Sequence, residues 1–442
     1  MARIFSDYAY GPGPRQGCWW DETIAAPDWP VLQGTVHTDI AIIGAGFTGM
    51  SAALHLADAG CKPTVLEAET PGWGASGRNG GFCCLGGARL SDSAIARRYG
   101  EDQANTYEQT EIAGVNLVGD LLSRYGINAD THSQGETQLA HRPRDMEGFR
   151  RKAEQIATRR GVEPELIEAS DLADRGLNGP FYGAMTIPVG FGLNPRKYLF
   201  GLARAAKSLG ADLYQKSAAL GIRQANDGYI IETQQGAVHA KRVLIATNGY
   251  SSDDLPDWFS GRYVPSQSNV LVTRPLTQEE IAKQGWSSDQ MAYDTRNLLH
   301  YFRLMPDNRF LFGMRGGLTS SPASEKRARA RTRRQFESMF PAWCDVPSPF
   351  QWSGMVCLSA ARVPFVGPIP GQPGLFAGLA FHGNGVAMGS YTGKLLADLV
   401  LGRVPDDPCP EFFARPMRKF PFGRARRAAM PLAYLYFAAL DL

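Results

Sequence analysis

The apolar positions of this chain change period several times, and each change marks a predicted element. Ile40, Ala41, Ile42 and Ile43 form an unbroken apolar run that predicts a buried strand. The run stops at Gly44-Ala45-Gly46-Phe47-Thr48-Gly49, and apolar residues then recur at helical spacing. A second strand, Thr64-Val65-Leu66, follows Gly60 and ends at Glu67. Residues 92–160 carry Ile112, Val115, Val118, Leu121 and Leu122 at helical intervals among charged residues. Asn194-Pro195 opens a further helix through Leu199, Leu202, Ala203 and Ala206, closed by Gly210. Short strands follow, with turns at Asn226-Asp227-Gly228 and Gln235-Gly236, and Arg242 to Tyr250 reads as a buried strand entering a turn of small residues. Residues 262–352 are strand-rich with many aromatics and arginines, and Gly374 to Val386 returns to strand and glycine loop before a helix from Ala387 to Leu401.

These elements predict an α/β fold whose Rossmann-like nucleotide domain is discontinuous, over 1–90, 190–261 and 353–410. A second domain for substrate, on a mainly antiparallel sheet, takes 91–189 and 262–352, and 411–442 forms a basic and apolar tail. Residues 1–38, rich in Gly, Pro and Trp, read as an arm laid over the body. The glycine turn supplies the first chemistry. Gly44 permits the tight turn, Gly46 has no side chain to hold a pyrophosphate away, and Gly49 lets the helix lie close on the sheet. The unpaired amides at Phe47 and Thr48 then face the phosphates. Glu67, with Ala68 behind it, can accept both ribose hydroxyls and would repel a 2′-phosphate, which disfavours NADP. No second glycine fingerprint of the kind expected for NADH follows, since Gly383-Asn384-Gly385-Val-Ala-Met-Gly389 has the wrong spacing.

Composition narrows the picture a little. A chain of 442 residues, 44% hydrophobic and 20% charged, is long enough for two connected domains. The net charge of +3 steers toward no polyanion. The run Lys326 to Arg334, continued by Phe336, Met339 and Phe340, reads as a helix with a solvated basic face, so nucleic acid is not an expected partner. Seven cysteines without a CxxC pair indicate neither zinc nor a disulfide framework, and no metal is expected. The N-terminus lacks a signal pattern and no apolar segment reaches membrane-spanning length, so cytoplasm is the default setting.

On the N-terminal fingerprint, Gly72-Trp-Gly-Ala-Ser-Gly-Arg-Asn-Gly-Gly81, Ile245 to Tyr250, Asp294 to Asn297 with Tyr301-Phe-Arg303, and the C-terminal glycine loop, the chain resembles the D-amino-acid oxidase/sarcosine oxidase (DAO) family. It is most similar to the gamma-glutamylputrescine-oxidising members, and the segments Phe420 to Gly423 and Pro431 to Tyr436 look like theirs as well. The resemblance implies FAD and two-electron oxidation of the C–N bond of an amine or amino acid. An imine forms and is hydrolysed, and O2 becomes H2O2. Gly74, Ala75, Ser76, Gly80 and Gly81 have the low bulk that a loop beside a flat ring needs, and Arg78 and Asn79 can donate to phosphate or flavin oxygens. Ala246, Thr247 and Asn248 complete the expected cofactor site with Gly383, Asn384, Gly385, Val386 and Ala387, whose loop and helix start face the charge of a reduced flavin.

The expected catalytic set is His382, Asn384, Arg362 and Tyr301. Many relatives carry Gly-His-Gly where this chain has Asn384, with His382 two positions earlier, so His382 reads either as flavin-facing or as a satisfied loop histidine. Arg362 resembles the family position that clamps a substrate carboxylate, and a domain-interface partner is the other reading. Tyr250, Tyr301, Trp352 and His300 are candidate pocket walls. Sarcosine oxidase uses a lysine near the flavin for oxygen; here Leu311 stands there, with Arg315 close behind. That leaves two other functional classes open: a dehydrogenase delivering electrons to quinone or a carrier protein, and a flavoprotein kept as a non-catalytic partner. Cys357 aligns with a cysteine that binds flavin covalently in sarcosine oxidase, although non-covalent FAD is the primary expectation. The tail, with Arg415, Arg418, Lys419, Arg424, Arg426 and Arg427 before the apolar stretch Ala428 to Leu440, reads either as a membrane-surface element or as a segment docked on protein.

Overall fold

The computed structural model describes residues 2–441. The central strand, Gly34–Ile43, runs parallel to Thr64–Leu66 on one side and Gly236–Ile245 on the other, with Ile43 opposite both Leu66 and Ile245. Ile40 and Ile42 pack with the helices Phe47–Asp58, Pro195–Ser208 and Ala387–Val400, whereas Ala41 and Ile43 pack with Ile231, Val238, Phe259 and Leu375. A strand covered on both faces has no use for alternating polar residues, which is why its sequence is an unbroken apolar run. The strand begins earlier than that run, because Gly34 to Thr38 pair with Gly236 to Ala240 although they are exposed or half-buried. Asp212–Tyr214 and Leu375–Leu379 extend the parallel set, and Phe365–Pro368 with the hairpin Gly221–Ala225 and Gly228–Glu232 complete an eight-stranded sheet.

The second sheet also has eight strands, in the order Phe350–Ser359, Tyr263–Val272, Phe310–Arg315, His300–Leu304, Met291–Asp294, Glu136–Leu139, Gly183–Ile187 and Glu165–Glu168. All its pairings are antiparallel except that between Met291–Asp294 and Glu136–Leu139. Trp286, Phe302, Phe310, Phe312, Phe336, Phe340 and Trp343 fill one side of it. Phe336 and Met339 come from the basic helix Pro322–Met339, whose exposed face carries Lys326, Arg327, Arg331 and Arg334.

Two expected boundaries shift. Position 353 falls inside the strand Phe350–Ser359, which pairs along its whole length with Tyr263–Val272, so Cys357 belongs to the second sheet. The helix Glu101–Arg124, expected with the second domain, lies across Ala387–Val400; Val115, Val118 and Leu121 share the core of the nucleotide helices. Periodicity along one helix reports which face is apolar and says nothing of the partner that covers it.

The N-terminal arm clamps the loop 72–81. Arg15 donates to the Gly72 carbonyl (2.7 Å), Trp20 Nε1 to Asn79 O (2.8 Å) and Trp73 Nε1 to Tyr10 O (3.3 Å). No helix among the described residues is long and apolar enough to cross a membrane.

Candidate active site

Gly44 sits at φ +104, and a Cβ there would meet the Ala246 carbonyl oxygen at 2.8 Å. At Gly49 a Cβ would stand 1.9 Å from Gly44 O, which fixes the helix Phe47–Asp58 tight against the strand end. The Phe47 amide donates to Ser76 Oγ (2.9 Å), and Ala45 N donates to Glu67 Oε2 (3.1 Å). Glu67 Oε1 accepts from Glu69 N (3.1 Å), and burial raises this carboxyl above its usual range. A second helix start, at Ala387, converges on the same space, held by Ser51 Oγ donating to Ser390 O (2.6 Å). Two helix N-termini thus bring partial positive charge to one cavity.

That cavity, of about 470 Å³, runs between the two sheets. Gly44, Gly46, Phe47, Thr48, Glu67, Ala68, Gly74, Ala75, Ser76, Arg78, Asn79, Gly80, Ala246, Thr247, Asn248, Gly383, Asn384, Gly385 and Val386 all line it. Of the expected cofactor residues, Gly49, Gly81 and Ala387 lie behind the wall. Gly81, at φ +72, packs against Leu193 O, where a Cβ would approach to 2.0 Å.

Several polar roles differ from expectation. Asn79 Nδ2 donates to Ala75 O and Ser76 O (both 3.1 Å) and its Oδ1 accepts from Gly81 N (2.8 Å), so its amide knits the loop. Asn384 Nδ2 donates to Leu85 O (2.5 Å) and joins the glycine loop to the segment before Arg89. His382 takes the reading of a satisfied loop residue. The Ser359 amide donates to its Nε2 (3.2 Å), so the ring proton sits on Nδ1 and goes to Gly87 O (2.7 Å). Burial pulls its pKa down to about 4, and no ring nitrogen is left for a substrate. Arg362 is corrected: it lies exposed on a turn at φ +62, outside the cavity, with its amide donating to Ser359 O (3.1 Å), its carbonyl accepting from Arg89 N (2.8 Å) and its charge acting on Arg89 from behind. Trp352 and His300 are also outside, the first donating to Arg78 O (2.7 Å), the second paired with Asp294 (2.7 Å).

Tyr301 and Tyr250 do line the cavity. Tyr301 shares a hydrogen bond with Ser268 Oγ (3.0 Å), and burial raises its phenol. Two further guanidinium groups reach in. Arg315, at the end of the strand Phe310–Arg315, donates to His382 O (2.7 Å), and burial pulls it down to about 10, still cationic at neutral pH. Arg89 stands close enough to repel it. Neither makes an ion pair among the described residues, although Asp441 acts on Arg89 from farther away. Arg315 was legible as the cation behind Leu311. Arg89 had no sequence signal, since its position depends on how the loop 82–89 folds under Asn384. The arm residues Arg3 and Tyr10, which also line the cavity, were missed for the same reason.

The space suits a dinucleotide. The glycine turn is a cradle that side chains would fill, and Arg78 Nη2 and Tyr250 OH are buried cavity-lining groups without a partner. A family model described as FAD dependent oxidoreductase matches residues 39–399. The chain belongs to the DAO family of FAD-dependent oxidoreductases. It is 31% identical over 429 residues to the protein named "Probable oxidoreductase OrdL" of Rhizobium meliloti, covering 96% of this chain and 97% of that one. To gamma-glutamylputrescine oxidoreductase of Escherichia coli it is 28% identical over 406 residues, 91% of this chain and 93% of the relative. Among solved structures, glycine oxidase from Geobacillus kaustophilus superposes with a TM-score of 0.71 at 21% identity, covering 86% of this chain and 98% of that chain. FAD is therefore the cofactor, and the chain is an FAD-dependent oxidoreductase with a Rossmann-like domain and a second sheet domain.

Proposed function

We propose that this enzyme oxidises the C–N bond of an amine or amino acid that carries a carboxylate, with O2 as the oxidant. The observation that supports the reading is the pair Arg89 and Arg315, two guanidinium groups lining the cavity that donate to carbonyls, of Asn297 (3.4 Å) and His382 (2.7 Å), and make no ion pair among the described residues. They take the place expected of Arg362, and a substrate carboxylate matches their fork of donors. The names of the relatives agree, since glycine and gamma-glutamylputrescine each combine an amine with a carboxylate.

In this reading the Gly44–Gly46 turn and the helix starting at Phe47 hold the diphosphate, and Glu67 holds the ribose hydroxyls. Arg78 and Tyr250 donate to the cofactor, and the loop Gly383 to Val386 faces the ring's charged end. FAD, when bound, would accept the two electrons of the C–H bond beside nitrogen as the C–N single bond becomes C=N. The substrate loses a hydride from carbon and a proton from nitrogen, and the imine is hydrolysed to an aldehyde or keto product. Two electrons and two protons then reduce O2 to H2O2.

The side chains do not supply a strong base. The lining carboxylates, Glu67 and Glu69, stand on the turn after the second strand, His382 is spent, and Tyr301 and Tyr293 are kept protonated by burial. The amine must therefore react in its neutral form, which nearby guanidinium charge favours. We assign FAD to non-covalent binding, because burial pushes the Cys357 thiol up to about 12 and disfavours the thiolate. All seven cysteines are free thiols, in keeping with a cytoplasmic setting.

The test is a matched substrate series with peroxide measured. Arg315→Met is expected to raise KM for carboxylated amines about 10- to 100-fold, the loss of one or two charge-assisted hydrogen bonds. It should leave the KM of decarboxylated analogues unchanged. Equal loss on both series would overturn the carboxylate assignment. One peroxide per imine supports oxygen as acceptor; imine without peroxide, with reduction of a quinone analogue, makes the enzyme a dehydrogenase.

A further inference from the structure

The C-terminal helix Met430–Leu440 has two unlike faces. Its inner face, Met430, Tyr434, Phe437 and then Asp441, turns to the protein: Tyr434 OH bonds Ser266 Oγ (2.8 Å), and Asp441 accepts from the Asn297 and Leu298 amides (2.7 and 2.9 Å). Its outer face, Leu432, Leu435, Tyr436 and Leu440, stands 72%, 68%, 60% and 43% exposed. Positions three and four apart on a helix share a side, so these four form one stripe. A surface helix ordinarily turns polar residues outward; this one turns none, and Phe422 just before it is 72% exposed as well.

The surroundings of the stripe are cationic. Between residues 412 and 440 the chain has no acidic residue. Arg418, Lys419 and Arg424 are exposed ahead of the helix, while at its far end Arg142, paired with Asp145 (3.5 Å), donates to Leu440 O (2.7 Å). Arg426 and Arg427 are spent internally, the first on Asp253 and the second on Leu318 O, and they hold the segment in place. A second copy of the chain presents the same patch across a two-fold contact and so brings no opposite charge to the Lys and Arg border. Apolar and aromatic side chains bordered by Lys and Arg are what an anionic bilayer surface accepts.

We propose that the outer face of this helix seats the enzyme on an anionic lipid surface, as a peripheral contact. The inference is independent of the substrate and of the electron acceptor. The experiment is co-sedimentation of the full-length holoenzyme with vesicles of phosphatidylcholine alone, and with vesicles of phosphatidylcholine and phosphatidylglycerol in equal parts. Binding to the anionic vesicles at least about 10-fold above the neutral ones at low salt, falling as salt rises, is expected. Leu432→Glu with Leu435→Glu should abolish it while flavin content and melting temperature stay unchanged, since both positions are exposed. No co-sedimentation with either vesicle, or equal binding by the double variant, would overturn the proposal. So would light scattering that shows a dimer converted to monomer by the double variant, which would make the face a contact between copies.

Discussion

A methyl group at Gly49 would stand 1.9 Å from the Gly44 carbonyl oxygen, and backbone on both sides leaves nowhere for either to go. Gly49→Ala is expected to cost about 1–3 kcal/mol of stability and to yield protein with little flavin, read by denaturant midpoint and visible absorbance. His382 acts on stability through protons. Its folded pKa, about 4, lies below the ordinary imidazole value of 6.5, so its contribution is present above about 6.5 and is lost as pH falls through about 4. Melting temperatures between those values should fall with acid more steeply in the native protein than in His382→Gln. In catalysis the same residue is silent: kcat/KM should rise with pH along the amine's own ionisation, with no further inflection near neutrality. At this scale the glycine positions were legible, because a missing side chain is itself the signal. The uses of Asn384 and Arg362 were not, since each meets a loop about 270–300 residues away in the chain, and Asn79 was missed because its own tight turn, not a ligand, takes its amide.

The strand–turn–helix over 34–58 and the Asn194-capped helix could be read directly, because short-range period and capping specify them. What could not be read was company: which sheet takes Phe350–Ser359, and which helix lies under Glu101–Arg124. The tail shows the same division. Its basic and apolar halves were plain, but the buried pair Arg426–Asp253 (2.6 and 3.0 Å) that anchors it was not. Arg426→Met leaves Asp253 buried and unpaired, and should cost about 3–5 kcal/mol in denaturant titration. Asp253→Asn together with Arg426→Met should restore part of that loss.

Across the whole molecule, one cavity joins a nucleotide sheet that positions cofactor with a second sheet that brings Tyr301, Ser268 and Arg315 to face it. There, on the proposed function, FAD would take electrons from a carboxylated amine. Non-covalent attachment is a first check: acid precipitation should leave a yellow supernatant and a colourless pellet. The decisive measurement is anaerobic mixing of the purified holoenzyme with N-acyl polyamines bearing a carboxylate and with amino acids, following the visible flavin band. Rapid, saturable bleaching by at least one carboxylated amine, slowed in Arg315→Met, is the predicted result. A band that no member of the panel bleaches, in protein that holds its full complement of FAD, would contradict the account and leave a flavoprotein without amine chemistry.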